Sequence, residues 1–132
     1  MKSTFDPNEK EEKKLANLKE ESTKIGVSKE INEAQRRYIV QANALNDTKD
    51  YSNALIMYQK AIEVNKISYP NAYFNMALIY AESNQYYQAI FAMKQYLILV
   101  PDAEDARKAQ DKIYEWELNI VKLWNLLKTS WL

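Results

Sequence analysis

Cysteine and histidine are both missing from this chain. Without cysteine there are no disulfides, and redox chemistry says nothing about compartment. Thiolate nucleophiles, imidazole bases and His/Cys zinc sites are excluded with them. The sequence therefore predicts no catalytic residue, no metal ligand set and no cofactor. Asp and Glu are scattered and read as solvated helix faces rather than as an acid–base pair. Gly26 is the only glycine, which rules out a glycine-rich phosphate loop. No apolar run approaches the ~20 residues that span a bilayer. The first fourteen residues, MKSTFDPNEKEEKK, lack the apolar core of a signal peptide. A leader or anchor outside this sequence would not be seen, and the balance leans to the cytoplasm. An excess of one charge is absent as well, since 18 basic side chains meet 18 acidic ones. A nucleic-acid groove needs basic clustering that is not here.

What is present is helix-forming apolar sequence: 47% of 132 residues are hydrophobic. A chain of that size suits one domain and buries roughly two thirds of its extended surface. Its organising stretch runs from Asn71 to Pro101. Tyr73, Met76, Ala77 and Tyr80 fall on one helical stripe, and Ala89, Met93, Tyr96 and Leu97 on another. The polar run Glu82-Ser83-Asn84-Gln85 between them predicts a tight turn, with Asn84 as its left-handed residue.

The order Tyr73-x2-Met76-Ala77-x2-Tyr80, then Ala89-x3-Met93, then Pro101, resembles the tetratricopeptide repeat. A second copy lies 35 residues upstream. It pairs Tyr38 with Tyr73, Ala42 with Ala77, Tyr51 with Tyr86, Ala54 with Ala89, Tyr58 with Met93, Ile62 with Leu97 and Val64 with Leu99. Gln41, Leu45 and Lys66 depart from the pattern, and the usual period is 34. The resemblance covers about half the chain. It implies an all-α fold of TPR-like helix-turn-helix repeats (an α-solenoid) followed by a long C-terminal helix. Residues 1–28 are read as a flexible or loosely helical leader. Repeat one spans about 35–69, repeat two about 70–101, and the last helix about 102–130. Its start is read as a capping box, Asp102 with Asp105. Ser28 is read as the cap of the first repeat helix, whose inner stripe is Ala34, Tyr38, Ala42 and Leu45.

The resemblance also implies a concave groove lined by the first helix of each repeat. Helical geometry then gives Arg36, Ile39, Asn43 and Asn46, with Asn71, Phe74, Asn75, Leu78 and Glu82, as groove residues. Side-chain amides suit an extended peptide because each both donates and accepts. Asn43 and Asn75 are similar to the asparagines of the family's chaperone-peptide clamp, but Ile39 stands where that clamp needs a basic residue. The competing surface is the apolar seam of the last helix: Trp116, Ile120, Leu123, Trp124, Leu127 and Trp131. The sequence thus predicts a non-enzymatic interaction module that binds a protein or peptide through the groove and forms a homodimer through the last helix. The alternative is an assembly domain whose last helix packs on a neighbouring domain or a membrane surface. Lys112, Lys122 and Lys128 are offset by Asp111, Glu115 and Glu117, which disfavours membrane contact and leaves no attraction for nucleic acid.

Overall fold

A computed structural model describes residues 7–102 and 104–130, so Trp131 lies outside the described residues. Among these residues the fold is all-helical, as the periodicity predicts, with no strand. The contacts divide the chain between Ala72 and Tyr73 into two units.

The first unit holds α1 (Pro7–Thr23), α2 (Glu33–Asp47) and α3 (Tyr51–Val64). The segment expected as a leader thus carries a 17-residue helix, and its Leu18 is only 5% exposed. Gly26 follows with φ +89°, a left-handed conformation that glycine adopts without penalty. The cap of α2 is Asn32, not Ser28: Asn32 Oδ1 accepts from the Gln35 N–H at 2.8 Å. Ser28 Oγ instead accepts from the Glu30 N–H in the preceding loop. The inner stripe of α2 is also rotated from the expected one. Ala34 is exposed, whereas Gln35, Ile39 and Ala42 are buried. Gln35 is responsible, because its amide is drawn inward by polar groups at the end of α3. Its Nε2 donates to the carbonyls of Ala61 (3.1 Å) and Asn65 (3.0 Å), and its Oε1 accepts from the Ser68 hydroxyl at 2.6 Å. Gln35 thus supplies a donor to the Asn65 carbonyl just past the end of α3, and adds a second one to Ala61 O, which already accepts from the Asn65 N–H.

The second unit holds α4 (Asn71–Glu82, all but its first two residues), α5 (Tyr86–Leu99) and α6 (Ala106–Ser130). Ala89, Ala92, Met93 and Tyr96 of α5 are buried, as are Tyr73, Met76 and Ala77 of α4. Phe74 meets Tyr96 edge to face, with ring centroids 5.1 Å apart. α6 packs on α5 and buries Ala109, Ile113 and Trp116. It begins at Ala106 rather than at Asp102, because Pro101 and Asp102 are taken up in a turn. Asp105 then supplies the first helical carbonyl, to the Ala109 N–H at 2.8 Å.

The two hairpins repeat one another in backbone detail. α3 and α5 each have 14 residues, and their bounds differ by 35. The two non-glycine residues with positive φ, Lys49 (62°) and Asn84 (61°), are also 35 apart. Asp50 N–H donates to Leu45 O, and Gln85 N–H to Tyr80 O, both at 2.9 Å. Lys49 N–H donates to Asn46 O, and Asn84 N–H to Ala81 O, both at 3.0 Å. Ala54 and Ala89 are fully buried at matching places.

Candidate interaction site

α6 is where the described residues leave the most apolar surface uncovered. Ala109, Ile113, Trp116, Ile120, Leu123 and Leu127 recur at spacings of three and four, so they lie on one face. The first three are buried, Ile120 is half-buried, and Leu123 and Leu127 are exposed. The reason is length. Twenty-five residues measure about 38 Å at 1.5 Å each, whereas the 14 of α5 measure about 21 Å. One stripe therefore begins as core and ends in solvent. Trp116, expected on the docking face, is only 5% exposed and belongs to the core, so the open seam starts at Ile120. Trp124 joins it at 58% exposure.

The open seam forms one wall of a cavity of about 260 Å³, through Ile120, Leu123, Trp124 and Leu127. The other wall is the turn residue Asn84 with Tyr86 and Tyr87 from the start of α5. Asn84 reaches its place through its left-handed backbone, and its Oδ1 accepts from the Tyr86 hydroxyl at 2.9 Å. That bond engages the Asn84 carbonyl and leaves an apolar mouth. Tyr87 stands 66% exposed at its edge. Apart from the phenols of Tyr86 and Tyr87, no acid, base or nucleophile lines the cavity, and no group of carboxylates among the described residues could hold a metal. At this size it is smaller than the roughly 300–1,000 Å³ clefts that take small molecules. It suits a single bulky side chain. Deeper in the unit, burial and then the Asp105 carboxylate raise the Tyr96 hydroxyl above its ordinary pKa, so that phenol stays neutral.

The groove residues fare differently. Ile39 is buried, and Asn43 Oδ1 accepts from the Tyr58 hydroxyl at 2.6 Å. Asn46 is half-buried, and its backbone carbonyl accepts from the Lys49 N–H in the turn. Arg36 is exposed and pairs with Glu33 at 3.4 Å on its own helix. On α4, Phe74 and Asn75 are half-buried, whereas Asn71, Leu78 and Glu82 are exposed. Tyr87 and Asn84 escaped the sequence reading as site residues. The adjacent tyrosines beside a polar turn were the available signal. Compared with known protein families, curated proteins and solved structures, the chain finds no match.

Proposed function

We infer that this chain is a non-enzymatic protein-interaction module, built on two tetratricopeptide-like hairpins, whose working surface is the open seam of α6 with its cavity. The single observation that carries this reading is the continuity of the α6 stripe. A face that is core at Trp116 runs on, still apolar, through Leu123, Trp124 and Leu127 in solvent. Contiguous exposed apolar surface of this kind marks interaction sites. The matched turns 35 residues apart support the repeat reading.

A photo-activatable aromatic residue placed at Leu127 tests it in cells that express the chain. Protein adducts should form from that position and not from a control at exposed Arg107 on the near half of α6. Adducts with lipid alone, or with nothing, would overturn the reading. Peptide capture along α4 is the second reading, supported by Asn71, Leu78 and Glu82 standing exposed on one helical face. Asn43→Ala is a poor probe of it, because Asn43 is bonded to Tyr58. Asn71→Ala with Glu82→Ala avoids that interference.

A further inference from the structure

We propose that the occupant of the open seam is a second copy of this chain, docked antiparallel about a two-fold axis passing between Leu123 and Trp124. The proposal rests on the interaction reading above and names its partner. An isologous contact requires that if one residue meets a second, the second meets the first. The seam satisfies this. With the axis at that point, Ile120 faces the other copy's Leu127, and Leu123 faces its Trp124. All four residues already line the cavity. Each Trp124 is then carried towards the other copy's cavity, which has room for one large side chain.

Charge does not oppose the contact. The seam positions Ile120, Leu123, Trp124 and Leu127 are all uncharged, and Lys122 lies on the opposite side of α6.

Complete burial of the exposed apolar area reaches the lower bound of a specific contact. Leu123, Trp124, Leu127 and Tyr87 are 41, 58, 56 and 66% exposed. Together they offer roughly 500 Å² per copy, given that one aromatic side chain buries about 150–250 Å². Two copies give ~1,000 Å², the threshold a specific interface is expected to clear. A membrane surface is the poorer occupant, since Glu117 and the paired Lys112–Glu115 share the helix with its lysines.

Sedimentation equilibrium on the purified chain should show a dimer at ~100 μM. Ile120→Glu with Leu123→Glu should weaken it by at least about 100-fold, because each two-fold contact would bury unpaired carboxylates. Circular dichroism checks that the helices persist in that variant. The register has its own test, made clean by the absence of native cysteine. Chains carrying Ile120→Cys and chains carrying Leu127→Cys should form a disulfide when mixed and oxidised. Neither should cross-link alone, since equivalent positions would sit about 10 Å apart along the helix while a disulfide needs Cα atoms within roughly 7 Å. A monomer at ~100 μM overturns the self-pairing. If position 127 still cross-links to other proteins in that case, the interaction reading survives without it. Cross-linking of either cysteine variant alone overturns the antiparallel register.

Discussion

Hairpin α2–α3 fills its centre with Tyr58, whose hydroxyl is bonded to Asn43. Hairpin α4–α5 has Met93 at the position equivalent to Tyr58 and Leu78 at the position equivalent to Asn43. Tyr58 and Met93 are both fully buried, and the turns beside them share the same hydrogen bonds. A buried phenol needs an acceptor, whereas a thioether does not. The two members of the pair therefore change together while the backbone stays the same. A second contrast lies at the hairpin ends. The first closes α3 with the Gln35 amide, and the equivalent position in the second is Pro70, which has no side-chain donor.

The sharpest way to break that contrast is Gln35→Leu. It keeps the volume but removes the donor to Asn65 O and the acceptor of the Ser68 hydroxyl. Leaving buried polar groups unpaired costs about 1–3 kcal/mol for each. The expected loss is about 3 kcal/mol, seen in thermal unfolding as a fall of roughly 10 °C. A fall of a degree or two would mean that water replaces the amide, and the two hairpin ends would be energetically alike.

Next in size come the matched alanines. Ala54→Leu and Ala89→Leu should each destabilise by about 2 kcal/mol, because overpacking drives the paired helices apart. Both alanines are fully buried, so the two losses should agree. If one substitution were silent, the hairpins would not be equivalent at the helix contact.

These alanines, the start of α5 after its polar turn and the left-handed Asn84 were all legible in the sequence, because each rests on local rules. Small residues recur at the repeat spacing, and a short polar run needs one residue in the left-handed region. What was not legible depends on contacts distant in sequence. Gln35 looks like surface until Ala61, Asn65 and Ser68 are brought beside it by the hairpin. Ile39 followed it inward for the same reason and left the expected groove. Trp116 and Trp124 share one amphipathic pattern, and only the shorter length of α5 makes the first core and the second exposed. The seam was readable from the sequence. Its boundary was not.

The Tyr58 pair itself carries a smaller expectation. Tyr58→Phe should cost about 1 kcal/mol, as the bond to Asn43 is lost and Asn43 keeps its desolvation. Adding Asn43→Leu, which copies the second hairpin, should return part of that cost. The coupling in such a double-mutant cycle, read from urea unfolding, measures how far the two residues act as a unit. Strict additivity would mean that they changed independently.

The smallest effect tests the turns, where the backbones agree and the residues do not. Lys49 and Asn84 both sit near φ +60°. An ordinary side chain pays roughly 1–2 kcal/mol there, and asparagine pays less because its short amide bonds locally. Lys49→Asn should therefore stabilise the first hairpin by about 0.5 kcal/mol. The reverse change, Asn84→Lys, should cost somewhat more than that, because it also removes the acceptor of the Tyr86 hydroxyl. Chemical denaturation of the two single variants resolves the asymmetry. If Lys49→Asn were destabilising, the lysine would be making a contact that offsets its strain, and the first turn would not be a plain copy of the second.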